Sequence, residues 1–191
     1  NGTPSGQLLS TSPGKVGMRC AYFQSNAFVS VSTPISFGSG GFTAAAWIKT
    51  AASTSRNSLV TSYFSAATPF YALEFNSDGA SLQPGGCAFT LGDGISVRRA
   101  AYTAANLADN EWHHLAGVRD GDQISLYVDG KRVASAALGG TFNQTPASTR
   151  FGQSGLTPGY YYGYMDEITL YSKALGPAEI CGLAAAGTLP G

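Results

Sequence analysis

The sequence is poor in charge. Acidic and basic side chains make up 12% of its 191 residues, about half the ordinary share of roughly 25%. Lys plus Arg and Asp plus Glu number 11 each, so no field of one sign draws a phosphate backbone or an acidic membrane surface. Nucleic acid is therefore not an expected partner. Long apolar runs are missing as well. None approaches the roughly 20 residues of a membrane-spanning helix, and membrane insertion is not expected. Cysteine is sparse, and Cys20, Cys87 and Cys181 lie too far apart for a C-x-x-C metal or redox site. Two readings stay open for them: one disulfide and one free thiol in an exported protein, or three thiols in a reducing compartment. Of histidine there are only two, His113 and His114. Neighbours on a strand point to opposite faces, so one ion cannot take both. They read as structural.

What is abundant is turn and strand material. Twenty-five glycines and nine prolines beside 43% hydrophobic residues describe many short strands, not disorder. Residues 111–136 are the clearest case. Ile124, Leu126 and Val128 alternate with Gln123, Ser125 and Tyr127, the period of a sheet with one wetter face. Asp120-Gly121 and Asp129-Gly130 supply the positive φ of tight hairpins. Further strands are expected at 20–23, 27–31, 43–49, 57–64, 70–76, 87–91, 96–102, 149–153 and 162–172, with 7–9 a short edge strand. Within 43–49, Ala44, Ala46 and Ile48 share one face, and Ala45 and Trp47 the other. Residues 176–187 carry Pro near the start, Glu in the first turn and Gly at the end, the signature of a helix. The expected fold is all-β, a two-sheet antiparallel β-sandwich of jelly-roll type with one short C-terminal helix. No repeat or linker divides it, and residues 1–191 read as one domain. The Ser/Thr/Gly-rich, low-charge surface fits a secreted or cell-surface location.

Motifs for catalysis are absent. No G-x-S-x-G elbow presents a nucleophile, and Gly38-Ser-Gly-Gly41 lacks the Lys and helix of a phosphate cradle. Binding residues are sought in loops. The run 157–162 ends in Tyr160, Tyr161 and Tyr162, rings suited to stacking on a sugar, with Tyr160 and Tyr161 the candidates. Arg98 and Arg99 alternate on a strand, and one could offer a bidentate donor to a carboxylate or sugar hydroxyl. Asp166 stands among the even positions Tyr162, Tyr164, Ile168 and Leu170. That otherwise apolar face is expected to point inward, so its carboxylate must be hydrogen-bonded, paired or metal-bound.

Five blocks then resemble one family in series. Gly14-Lys-Val-Gly17 with Cys20-Ala-Tyr-Phe23 resembles the opening of the laminin-G-like jelly rolls of the concanavalin A-like lectin/glucanase class. Gly41-Phe-Thr-Ala-Ala-Ala-Trp47, Glu111-Trp-His-His114 and Leu126-Tyr-Val-Asp-Gly-Lys131 are similar to its inner strands. Tyr162-Gly-Tyr-Met-Asp-Glu-Ile168, with Leu170-Tyr171, Ala174-Leu175 and Glu179-Ile180, resembles its closing segment. The resemblance implies neighbouring first and last strands, and with them a disulfide between Cys20 and Cys181. It implies structural Ca²⁺ at Asp166, with carbonyls of Gly40 and Gly41 and of the N-terminal segment. Asn26 would give an oxygen where relatives carry an Asp-rich turn. Hydrolases of the wider class carry carboxylates alternating on one strand. The nearest acids here, Asp166 and Glu167, are adjacent and point apart. The expected function is a non-catalytic, lectin-like module that binds carbohydrate, within a larger secreted or cell-surface protein. A protein-binding or structural adhesion module is the alternative, and a glycan hydrolase or lyase is a lesser one. Expected partners are a glycan or an extracellular protein.

Overall fold

The structure, a computed structural model, describes residues 2–52, 57–62, 67–76, 84–146, 148–154 and 159–186. Among them lie the strands β1 (Gly2–Thr11), β2 (Cys20–Val31), β3 (Phe42–Lys49), β4 (Asn57–Thr61), β5 (Pro69–Phe75) and β6 (Cys87–Asp93). They continue with β7 (Val97–Tyr102), β8 (Trp112–Asp120), β9 (Gln123–Val128), β10 (Lys131–Ala137), β11 (Arg150–Phe151) and β12 (Gly163–Tyr171), and one helix, α1 (Pro177–Ala185), follows. The chain is all-β, with antiparallel pairing and one short helix. Residues 63–64 of the expected 57–64 strand, residues 157–158 of the 157–162 run and residue 187 of the expected helix lie outside the described residues.

Hydrogen bonding runs unbroken through the order β10-β9-β8-β3-β12-β2-β11-β4-β5-β6-β7, with β1 added to β2. Two separate sheets were expected. One path forms instead because β2 serves both halves of the molecule. Its first part pairs with β12, Phe23 opposite Gly163, and its last part with β11, Val29 opposite Phe151. Between them Ser25 and Asn26 take φ of 34° and 67°. β1 turns alongside at Gly6, φ 72°, where its register against β2 shifts. Left-handed φ is uncommon outside glycine and asparagine, so these positions form a corner in the paired strands. Beyond it the path curls until its ends meet, with β7 against β9 and β10, and β6 against β8. β1 is also longer than the expected edge at residues 7–9, because it follows β2 from Thr11 opposite Cys20 to Gly2 opposite Val31.

The interior between the two halves is filled by aromatic and branched side chains, among them Phe23, Ile48, Tyr71, Leu73 and Phe89. Phe42 stacks on Phe37 at 4.2 Å and meets Phe89 edge-on at 5.8 Å. The expected period of β3 is observed: Ala44 and Ile48 belong to this core, and Ala45 to a second cluster on the opposite face. There α1 lays Ile180, with Leu175 ahead of it, on Ala45, Ala116, Val118 and Tyr127. Pro177 opens the helix, and the Glu179 carboxylate accepts the Gly176 N–H at 2.8 Å. In the β8–β9–β10 meander, Asp129 and Gly130 take φ of 48° and 77°, the pair of positive values a tight hairpin needs.

β12 departs from simple alternation. Asp166 lies opposite Trp47, but Thr169 lies opposite Ala45, so one extra residue is inserted. Glu167, φ 46°, absorbs it. Ile168 and Leu170 pack against the core, as does Met165 before the bulge. The five even positions therefore do not share one face, and Tyr164 and Asp166 point to the outside.

The halves are in tight contact at Gly117 of β8, where an added Cβ would stand 2.2 Å from the Phe89 ring. Gly117→Ala is expected to destabilise the fold by about 1–3 kcal/mol through overpacking. Chemical denaturation would read this as a lower midpoint at unchanged m-value.

Candidate functional site

The outer face of β2, β12, β3 and β8 is built in cross-strand rows. Residues directly opposite on paired strands share a face. One row runs Tyr22, Tyr164, Lys49, Trp112, each opposite the next. The next contains Asp166, Trp47 and His114. Beyond it lie Thr169, Ala45 and Ala116, on the part of the face where α1 packs.

The middle row is covered. Asp166 Oδ2 accepts the N–H groups of Lys15 and Val16 at 2.8 and 2.9 Å, and Oδ1 accepts that of Glu167 at 3.0 Å. The loop so anchored places the Lys15 ammonium 4.6 Å from the centre of the Trp47 ring. His114 meets Trp47 edge-on at 5.3 Å.

The first row lies open. Tyr22 stacks on Tyr164 at 4.5 Å, and Tyr162, 49% exposed, stands edge-on to Tyr22 at 5.9 Å. With Lys49, Thr50 and Asn110 these three tyrosines line a groove of about 420 Å³. Gly163 makes the arrangement feasible. Its φ is 145°, and a Cβ there would stand 2.5 Å from the Lys49 carbonyl oxygen. Trp112 continues the aromatic surface, 6.3 Å from Tyr164. Asn110 adopts φ 65° and donates its N–H to the Thr50 carbonyl at 2.9 Å, which fixes the far wall.

The expected ligand residues fare differently. Tyr161 is buried, and its hydroxyl donates to the carbonyls of Lys49 and Tyr164 at 3.3 and 3.0 Å. Burial also holds its pKa well above the ordinary value. It holds the groove together from behind and cannot touch a ligand. Tyr160 is half-buried, 6.4 Å from Phe28 and bridged to Gln153, outside the row. Arg99 is paired with Glu74 at 3.1 Å and bonded to Thr90, and Arg98 donates to the Val97 carbonyl at 3.1 Å. Neither arginine lines the tyrosine groove. Tyr22 and Tyr164 were missed as ligand residues, since only the register of β2 on β12 brings them together.

The calcium set does not assemble. From Asp166, Gly40 and Gly41 lie past the far end of β3 from its Trp47 partner, and Asn26 lies in the opposite direction at the corner of β2. The N-terminal segment does reach Asp166, but it brings N–H donors, where a cation needs oxygen. These residues do not fit a calcium ion. Nor are Cys20 and Cys181 joined. Cys20 Sγ lies 3.7 Å from the Pro13 carbonyl, whereas Cys181 is on α1 against Gly130, and both thiols are free. The pairing of β2 with β12 brings Cys20 to the last strand, but α1 lies against the β9–β10 turn.

The two histidines part as expected. His113 lies between Asp129, 2.9 Å from Nδ1, and Asp109, 3.2 Å from Nε2, and these hydrogen bonds, the one to Asp129 foremost, raise its pKa. His114 is buried, and desolvation pushes its pKa down to about 4. Their effects on stability oppose each other. The His113 contribution is complete below pH 6.5 and disappears as pH rises through its raised value. His114 loses stability as pH falls from about 6.5 to about 4, where the unfolded chain binds a proton that the folded chain refuses.

An antiparallel sheet curled on itself, with a helix on one outer face and an aromatic groove beside it, defines a lectin-type β fold. The chain belongs to the concanavalin A-like lectin/glucanases superfamily, whose family model matches residues 23–181. Similar structures include the binding domain of Paraclostridial Mosquitocidal Protein 1, at 13% identity and TM-score 0.73. That match covers 97% of this chain and 48% of the other, so the chain spans about half the length of that domain. Domain 4 of AbnA, an extracellular arabinanase from Geobacillus stearothermophilus, solved with arabinotriose, matches at 19% identity and TM-score 0.73, over 96% of this chain and 87% of that one. A Ruminococcus gnavus sialidase CBM40 bound to α2,3-sialyllactose matches at 16% identity and TM-score 0.63, over 78% and 84%. At these identities the likeness concerns the fold. No curated protein matches the sequence.

Two measurements test the anchoring of the outer face. Asp166→Ala leaves three N–H groups without their acceptor and is expected to lower stability by about 2–3 kcal/mol, while EDTA leaves the melting midpoint of the unaltered protein unchanged. A midpoint that rises with added Ca²⁺ would contradict this account. For the histidines, His114→Gln is expected to remove up to about 3 kcal/mol of the stability lost between pH 6.5 and 4. His113→Gln removes the gain seen as pH falls toward 6.5. Melting curves across that range separate the two.

Proposed function

We propose that the chain is a non-catalytic carbohydrate-binding module, its curled sheet serving as the rigid two-layer sandwich of its superfamily. The observation that carries the proposal is the open groove of Tyr22, Tyr162 and Tyr164 beside Lys49, Thr50 and Asn110. Aromatic faces held by strand register stack on the apolar face of a sugar ring, and a few polar groups fix its orientation. Preorganisation matters because a module without a deep pocket has little binding energy to spend on ordering its own side chains. Named neighbours of the fold are solved with arabinotriose and sialyllactose, which supports a sugar as the class of ligand.

Catalysis is disfavoured by the same geometry. No carboxylate lines the groove among the described residues, and Glu74, the acid of a second, smaller pocket, is neutralised by Arg99. The module would act as the recognition part of a larger secreted or cell-surface protein. A receptor-binding role is the second reading, because receptor binding domains of botulinum neurotoxins share the fold, and the same aromatic groove would then serve a peptide.

A glycan array probed with the unaltered chain and with Tyr162→Ala decides between these. The carbohydrate reading expects saturable binding to at least one glycan, weakened about tenfold or more by the loss of one stacking ring. Absence of binding at protein concentrations that reveal weak lectins would remove it. Release of reducing sugar from any polysaccharide would overturn the non-catalytic assignment.

A further inference from the structure

We infer that the groove selects an anionic sugar, whose carboxylate or sulfate group meets Lys49 while its ring lies on the tyrosines. The inference rests on the carbohydrate reading and narrows its ligand class. Lys49 is the one charged side chain among the described residues that line the groove. It is half-buried and stands in register between Tyr164 and Trp112. No carboxylate among the described residues lies within ion-pair distance of its ammonium.

Three other cations of the fold are engaged. Lys173 meets Glu179 at 2.6 Å, Arg99 meets Glu74 at 3.1 Å, and Lys15 lies over Trp47. The nearest acids in sequence to the far wall are Asp109 and Glu111. Asp109 is held by His113 at 3.2 Å, and Glu111 is exposed. Lys49 is thus a cation set among neutral rings, outside the ion pairs of the described residues.

That setting decides the sign of the ligand. A sugar laid over the groove displaces water from the ammonium. A neutral ring offers only hydroxyls in exchange, which leaves much of the desolvation uncompensated. An anionic substituent restores a charge-assisted hydrogen bond in surroundings drier than bulk water. The tyrosines supply ring stacking that is indifferent to charge, and Lys49 supplies the discrimination. Because the pair would remain near the surface, its contribution is screened by salt.

The test compares two pairs of polymers, each pair sharing a backbone and differing in its charged substituent. Binding is measured by titration calorimetry to polygalacturonate, its fully methyl-esterified form, a neutral galactan and a sulfated galactan. The measurements use the unaltered chain, Lys49→Gln, Lys49→Arg and Tyr162→Ala. The expected result is at least about tenfold tighter binding to an acidic polymer than to the ester or neutral one. Lys49→Gln should abolish that preference and Lys49→Arg should keep it, and the preference should shrink with added salt. Preference for polygalacturonate alone assigns the carboxylate, and for the sulfated galactan alone, the sulfate. Equal binding of charged and neutral polymers, lost in Tyr162→Ala, overturns the anionic inference and leaves the carbohydrate reading standing. A charge preference that survives Lys49→Gln overturns the role of Lys49. Absence of binding to every polymer overturns both readings.

Discussion

The insertion of a single residue at Glu167 determines what the outer face of the sheet presents. Before it, β12 sends Met165 inward and Tyr164 and Asp166 outward; after it, Ile168 and Leu170 turn to the core. Without the bulge, strict alternation from Met165 onward would turn Glu167 inward and Ile168 and Leu170 outward. The cost is a non-glycine residue at φ 46°. Its N–H is bonded to the neighbouring Asp166 carboxylate, so the same group that the bulge turns outward helps to hold the bulge. That carboxylate also captures the loop at Lys15 and Val16, which covers Trp47. Bulge, carboxylate and loop form one unit.

From this unit the outer face divides into three bands. The helix covers the small residues Ala45 and Ala116, where an α-helix can lie close to the sheet. The N-terminal loop covers Trp47, with His114 buried beside that ring, and the band of Tyr22, Tyr164, Lys49 and Trp112 is left uncovered. Tyr161 supports it from the interior through hydrogen bonds to the backbone of both flanking strands. The open band is thus bordered by packed structure and braced from beneath. A binding surface gains from that rigidity, because side chains already fixed lose little further entropy when a ligand arrives.

Much of this was legible in the sequence, for identifiable reasons. The β8–β10 meander announced itself because Asp129-Gly130 forces a turn type and alternation fixes a face. The helix was marked by Pro177 and Glu179. The adjacency of His113 and His114 was enough to separate their environments. What was not legible depended on long-range register. The alternation of β12 reads as uninterrupted because Asp166-Glu167-Ile168 contains no glycine to signal a bulge, and the face of Tyr164 was accordingly assigned to the interior. Tyr161 and Tyr162 are chemically identical in sequence, and only the fold buries one and exposes the other. The corner in β2 was visible as a break at residues 24–26. Its consequence, a single hydrogen-bonded path in place of two sheets, required knowing which strands lie on each side of it.

Low charge gives the remaining constraint a physical form. With cations and anions equal in number, the protein exerts little attraction on a ligand at distances beyond a Debye length. Selectivity must therefore be built from contacts. In such a background a lone ammonium has more influence than it would on a densely charged surface, where counter-charges and neighbouring ion pairs would dilute it. The aromatic neighbours strengthen this effect by excluding water while bringing no charge of their own. In the proposed binding mode, stacking area would set whether a ring is held, and one charge would set which ring is preferred.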